Sequence, residues 1–126
     1  MSVAYVDSSV VVAIAFGEPG AHDLHERLRA FTRIVASNLV EAELRSVCRR
    51  EKREVSRVIL DQVKWLAPAR PLGPEITRVL DAGYVRGADC FHLANALFLA
   101  PEGHGVVFLT LDKRQRDVAA ALGFAT

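Results

Sequence analysis

The chain has 126 residues and a formal net charge of +1, with 51% hydrophobic and 25% charged residues. These values suit a single globular domain and exclude disordered, collagen-like and disulfide-scaffold proteins, as well as a uniformly basic coat for nucleic acid. Cys48 and Cys90 lie far apart without a CxxC pair. We therefore expect neither a zinc site nor a disulfide framework, and we predict a reducing, cytoplasmic location.

Short apolar runs predict strands at residues 3–6, 34–36 and 106–109. Apolar residues at helical spacing predict helices at residues 10–16, 21–31, 38–53, 55–66, 74–85, 89–99 and 112–122. A short edge strand is expected between Pro68 and Pro71, and Phe124 is assigned to a final short strand. Alternating strands and helices predict one α/β domain over residues 1–126, with a parallel sheet covered on both faces.

No apolar stretch approaches the roughly 18 residues that a membrane span requires. Asp7 interrupts the first apolar run before a signal-peptide core could form. We therefore expect neither a membrane span nor a secretory signal.

Three aspartates stand where the predicted elements meet. Asp7 directly follows the first strand, Asp112 follows the strand at 106–109, and Asp89 lies in the first turn of an apolar helix. Each position alone is a typical helix N-cap. In an open parallel sheet, however, ligands bind outside the carboxyl ends of the strands, where these side chains would meet.

Glu43 is a fourth acid in an unusual place. If Asn38 caps its helix, Glu41 takes the capping-box position, and Glu43 lies about 200° around the helix, within or beside the apolar stripe. An inward-facing carboxylate requires a partner, which would be either a metal ion or one of the arginines.

Four carboxylates at one end of a sheet would raise one another's pKa unless a cation offset their charge. Hard oxygen ligands favour Mg²⁺ or Mn²⁺. Together Asp7, Glu43, Asp89 and Asp112 therefore indicate metal-assisted hydrolysis of a phosphodiester.

Four segments of the chain resemble the PIN-domain family, specifically the VapC-type toxin ribonucleases. They occur in the family's order and spacing at residues 5–10 (YVDSSV), 37–45 (SNLVEAELR), 86–94 (RGADCFHLA) and 107–114 (VFLTLDKR). The resemblance implies a three-layer α/β/α fold with a central parallel sheet. It also implies a Mg²⁺- or Mn²⁺-dependent endoribonuclease, inhibited by a VapB-like antitoxin that places a cation such as arginine in the acidic pocket, and a homodimer.

By position, the family's acidic quartet falls on Asp7, Glu43, Asp89 and Asp112, of which Asp7 and Asp89 would ligate the metal. Ser8, Ser9 and Thr110 are candidates to hydrogen-bond the carboxylates. His92 is interpreted as a packed, hydrogen-bonded residue, with a role as a base as the alternative, and a role for Asp117 also stays open. The alternatives are a PIN-fold RNA-processing nuclease without an antitoxin and a non-catalytic module that binds a partner.

Residues 45–57, which we call the basic stretch, hold six basic and two acidic residues, a local excess of four positive charges. They could guide an RNA backbone toward the acids. The competing interpretation is a solvated helix face with local pairs such as Arg50–Glu54. Few exposed aromatic residues are expected for base stacking, and Trp65 is assigned to the core or an interface.

Overall fold

A computed structural model describes residues 2–126 of the chain. Its elements, in chain order, are β1 (Val3–Val6), α1 (Ser8–Phe16), α2 (Ala21–Arg29), β2 (Arg33–Ser37), α3 (Leu39–Arg50), α4 (Arg57–Asp61), β3 (Val63–Leu66), α5 (Gly73–Ala82), α6 (Gly87–Leu99), β4 (Val106–Leu109) and α7 (Lys113–Ala121).

The four strands form one parallel sheet in the order β3-β2-β1-β4. Tyr5 in the central strand β1 is in register with Val35 on one side and with Phe108 on the other. The predicted parallel sheet and the three-layer α/β/α fold are thus confirmed.

Successive residues of each strand enter two different cores. Ala4 and Val6 pack among helices α1 to α4, whereas Tyr5 packs among α5, α6 and α7. The Tyr5 ring stacks on Phe108 of the neighbouring strand, with centroids 5.4 Å apart and planes 11° apart. This alternation follows from the two-residue period of a strand, and it explains why the strands are apolar on both faces.

The order of the strands creates a crevice beside β1. The chain runs from β1 outward to β2 and β3, then crosses back to place β4 on the opposite side of β1. In such sheets the helices leave β1 and β4 in diverging directions, which opens a cleft at the carboxyl ends of these strands. The residues that follow β1 and β4 are therefore the ones best placed to form a site.

The helix predicted at residues 55–66 is wrong. The helix α4 covers only Arg57–Asp61, and the chain then extends as β3, which pairs with β2. The apolar residues of this segment satisfy helical spacing as well as strand alternation, so periodicity alone could not separate the two. Pairing with the exposed edge of β2 decides in favour of a strand. The edge strand expected between Pro68 and Pro71 is also wrong, since β3 already forms that edge.

Two element ends also differ from expectation. The helix α3 stops at Arg50 because Lys52 adopts a left-handed backbone conformation with φ of 55°. At the other end of the chain, Phe124 packs into the core, while its neighbour Ala125 forms an isolated parallel bridge to Val107 instead of a strand. Across residues 2–126, no helix combines the length and apolar character needed to cross a membrane.

Candidate active site

Asp7 is held at the carboxyl end of β1. Its side chain caps α1 by accepting a hydrogen bond from the Val10 amide at 3.4 Å, and the residue is only 2% exposed. The Ser9 hydroxyl donates to Oδ1 at 2.6 Å, and the Thr110 hydroxyl donates to Oδ2 at 2.7 Å. Burial raises the pKa of Asp7, and the two hydroxyls partly oppose that shift. The carboxylate is thus buried and fixed in orientation.

Asp89 and Asp112 lie together in an open pocket of about 370 Å³, which we call the acidic pocket. Asp112 caps α7 by accepting from the Gln115 amide at 2.9 Å. Partial burial raises the pKa of Asp89, and the negative charges of Asp112 and Asp7 raise it further. The charges of Asp7 and Asp112 thus act on Asp89. The other residues that line the acidic pocket are Tyr84, Val85, Arg86 and Arg114.

Two arginines, Arg86 and Arg114, share the acidic pocket with Asp89 and Asp112, and the charge of Arg86 partly opposes the rise in the pKa of Asp89. Within the described range 2–126, no lysine or arginine forms a salt bridge with Asp7, Asp89 or Asp112. Nor does that range contain three His, Cys, Asp or Glu side chains gathered closely enough to enclose a metal ion. The carboxylate oxygens, which carry no direct ion pair within that range, nevertheless fit a divalent cation held in an open site, where water completes the coordination.

Glu43 is placed differently from the other three acids. Its Oε1 lies 2.8 Å from Nε2 of His92, with which it forms a hydrogen bond. His92 is 1% exposed, and its Nδ1 has no partner among the described residues. The side-chain partner of Glu43 is therefore a histidine and not an arginine, and a role of Glu43 toward a metal ion stays a prediction. The interpretation of His92 as a packed, hydrogen-bonded residue is confirmed.

Gln115 is a buried residue of this region that sequence reasoning missed. Its Oε1 lies 2.9 Å from the Thr110 hydroxyl, and its Nε2 donates to the backbone carbonyl of Asp89 at 3.2 Å. Gln115 thus connects the segment after β4 to the start of α6. The available signal was its place three residues after Asp112, which is capping-box spacing.

The remaining predicted residues divide into two groups. Ser9 and Thr110 hydrogen-bond Asp7 as expected, whereas Ser8 forms no hydrogen bond with these carboxylates in the part of the chain described. Asp117 is exposed and forms a salt bridge with Lys113 at 2.9 Å, so it belongs to the surface of α7. The structure leaves the roles of the four acids as predictions.

Comparison with known proteins gave one result. The family model described as PIN domain matches residues 4–121, a range that includes all four acids. Neither the curated proteins nor the solved structures that were compared with the chain gave a match.

Proposed function

The chain belongs to the PIN domain family, and from this premise we propose that it is a Mg²⁺- or Mn²⁺-dependent endoribonuclease, the toxin of a type II toxin–antitoxin pair. PIN domains are generally metal-dependent nucleases, and PIN nucleases bind RNA. The proposal includes four specific properties beyond family membership: RNA cleavage, a VapB-like antitoxin, a homodimer and a cytoplasmic location.

One observation carries the proposal. Asp89 and Asp112 line one pocket, and the charges of Asp112 and of the buried Asp7 both raise the pKa of Asp89. No lysine or arginine within residues 2–126 forms a salt bridge with any of the three. Packing like charges together is unfavourable, because each raises the pKa of the others. Carboxylates are clustered in this way at functional sites, where a bound cation can supply the positive charge that stabilises them.

Asp7 and Asp89 would hold the metal ion, and Asp112 would add to the negative field around it. When bound, the ion supplies positive charge and Lewis acidity to a phosphodiester. Ser9 and Thr110 keep the Asp7 carboxylate in one orientation, which lowers the cost of binding a ligand there. The hydrogen bond to His92 likewise fixes the Glu43 carboxylate.

The toxin role adds an antitoxin to this site. The acidic pocket would accept a cationic side chain of the antitoxin, since a guanidinium group matches carboxylates in charge and geometry. Expression of the chain should arrest growth, and co-expression of the antitoxin should relieve the arrest. Calorimetry should show weaker Mn²⁺ binding by the complex than by the free chain. Unchanged metal affinity would contradict occupation of the acidic pocket.

The nuclease proposal is tested by incubating total cellular RNA with the wild-type chain and Mn²⁺ or Mg²⁺. We expect cleavage that EDTA abolishes. Asp89→Asn and Asp112→Asn should each cleave more than about 100-fold more slowly, because metal ions contribute several kcal/mol to such reactions. Asp81→Asn, an exposed aspartate on α5, is the matched control and should cleave like the wild type.

Two outcomes would contradict this assignment in different ways. Equal cleavage by the wild type, Asp89→Asn and Asp112→Asn would show that the active site lies elsewhere. If the wild type fails to cleave RNA with either ion, the chain is not an endoribonuclease, and the partner-binding module is favoured instead.

A further inference from the structure

An aromatic side chain stands exposed at the mouth of the acidic pocket. Tyr84 lies in the turn between α5 and α6 and is 67% exposed. It lines the acidic pocket together with Asp89 and Asp112, and it also lines a neighbouring apolar groove of about 580 Å³. A ligand held over the aspartates would therefore meet the Tyr84 ring directly.

The apolar groove brings several exposed hydrophobic side chains together on one concave surface. Leu80 is 47% exposed and Phe91 is 38% exposed, and both line this groove with Tyr84. Two aromatic rings and a leucine at the rim of one concave surface are unfavourable in water unless a ligand covers them. The remaining lining side chains are Ile76, Val85 and Cys90.

Two arginines stand beside the aromatic ring. Arg86 and Arg114 both line the acidic pocket, and the Arg114 guanidinium carbon is 5.9 Å from the centroid of the Tyr84 ring. In the described part of the chain, neither arginine forms a salt bridge. No carboxylate of the described residues therefore holds either guanidinium at salt-bridge distance, although the charge of Arg86 acts on Asp89, and each group can contact an external anion.

We propose that Tyr84 and the apolar groove bind an unpaired base of single-stranded RNA, while Arg86 and Arg114 contact the phosphates on either side of it. Proteins that bind single strands combine aromatic platforms with cationic side chains that follow the backbone. This inference rests on the proposed function, because the acidic pocket beside the groove is where the scissile phosphate would lie. It adds a base-binding residue, Tyr84, to that site.

The surroundings of the groove favour a nucleic acid over a second copy of the chain. The core of an interface between identical chains is depleted in charged residues. Here the groove opens directly onto a pocket that contains two arginines without salt bridges and two aspartates. An occupant that carries both an apolar ring and negative charge satisfies both halves of this surface, and a nucleotide is such an occupant.

The experiment measures binding apart from cleavage. A fluorescently labelled RNA of mixed sequence and about 12 nucleotides is titrated in EDTA, first as a single strand and then as a duplex, and its anisotropy is followed. The variants are Tyr84→Ala and Tyr84→Phe. The control is Leu99→Ala, which removes an exposed apolar side chain from the other end of α6.

We expect Tyr84→Ala to bind the single strand about 10-fold more weakly, which lies within the range measured when a stacking aromatic residue is removed. Tyr84→Phe and Leu99→Ala should stay within about twofold of the wild type, because the stacking ring is retained in both. The two Tyr84 variants and Leu99→Ala should bind the duplex as tightly as the wild type does. Arg114→Gln should bind both forms more weakly and reduce the slope of log affinity against log salt by about one.

Three results would overturn the inference. The first is unchanged single-strand affinity in Tyr84→Ala, and the second is an equal loss for single strand and duplex. The third is a shift of Tyr84→Ala from dimer to monomer with unchanged RNA affinity, which would assign the groove to a second copy. Circular dichroism melting checks that each variant folds.

These results are separable from failure of the nuclease proposal. If the wild type cleaves RNA and Tyr84→Ala keeps its single-strand affinity, the base site is wrong and the nuclease stands. If the wild type cleaves no RNA, but Tyr84→Ala binds the single strand more weakly than the wild type does, the base site is supported and the nuclease proposal is wrong.

Discussion

The charged residues of the basic stretch and those of the acidic pocket differ in their ion pairing. Three of the six basic residues in the stretch have an acidic partner nearby, namely Arg45 with Glu41, Arg50 with Glu51 and Arg57 with Asp61. A fourth, Arg53, lies over the ring of Phe16, 4.6 Å from its centroid. By contrast, Asp7, Asp89 and Asp112 form no salt bridge within residues 2–126.

This difference separates a charged surface from a candidate site. Exposed charges that are paired locally contribute little to stability, and they do not require a ligand to neutralise them. Buried or partly buried charges of one sign raise the free energy of the folded chain, and a cation would lower it again. The local excess of four positive charges in the sequence is therefore a weaker functional signal than three aspartates spread over 106 positions, from Asp7 to Asp112.

The largest effect is expected at the buried end of this comparison. Asp7→Asn keeps the shape of the side chain and removes its charge, so RNA cleavage should fall more than about 100-fold in a Mn²⁺-dependent assay. Asp23→Asn, an exposed aspartate on α2, is the control and should cleave like the wild type. Wild-type activity in Asp7→Asn would remove Asp7 from the metal site.

Glu43→Ala should destabilise the fold because it leaves both ring nitrogens of His92 unpaired in a site that is 1% exposed. An unsatisfied buried polar group costs about 1–3 kcal/mol, which urea denaturation resolves. Glu41→Ala on the same helix breaks only exposed contacts, with Arg45 and with the Asn38 side chain, and should leave the midpoint unchanged. Equal effects of the two substitutions would mean that the Glu43–His92 contact has no structural role.

The pH dependence of stability should distinguish Asp7→Asn from the wild type. Burial raises the folded-state pKa of Asp7 above its ordinary value of 3.8, so the folded wild type binds this proton more tightly than the unfolded chain does. Wild-type stability is therefore lost as pH rises through these two pKa values. At pH 7 we expect Asp7→Asn to be the more stable of the two, and near pH 3 their stabilities should converge. Thermal melts from pH 3 to 8 measure this, and a constant difference would contradict the buried charge.

The smallest effect is expected in the basic stretch. Arg49 and Lys52 are exposed and form no salt bridge within the described residues, so they are the cations of this stretch best able to contact phosphate. Arg49→Gln should weaken RNA binding about threefold and reduce the salt slope by about one, with the rate at saturating RNA unchanged. Arg57→Gln, whose guanidinium pairs with Asp61, serves as the control. If Arg49→Gln matches the wild type in affinity, the stretch is a solvated helix face.

Local sequence was enough to predict the elements that contain the acids. The apolar runs before Asp7 and Asp112 are strands, and the residues after them begin helices, because aspartate caps a helix wherever the chain leaves a buried strand. The segment at 55–66 shows the limit, since one set of apolar positions satisfied two periodicities, and only pairing with β2 selected the strand.

The contacts that define the site could not be predicted in the same way. The bond between Glu43 and His92 joins residues 49 positions apart, and that between Asp7 and Thr110 joins residues 103 apart. Tyr84 and Phe91 are exposed aromatic residues, and local sequence did not predict that Tyr84 stands at the mouth of the acidic pocket. Exposure depends on which neighbours the fold brings against a side chain, and local composition does not specify them.

The sequence by itself determined the α/β class, the parallel sheet and the four acids, because periodicity and capping act over a few residues. Tertiary structure decided which acids act on Asp89 and that Glu43 hydrogen-bonds His92. It also placed Tyr84 and two arginines beside the aspartates of the acidic pocket. The physical reason is that charge and hydrogen bonding depend on distance in space, and the order of the strands sets those distances.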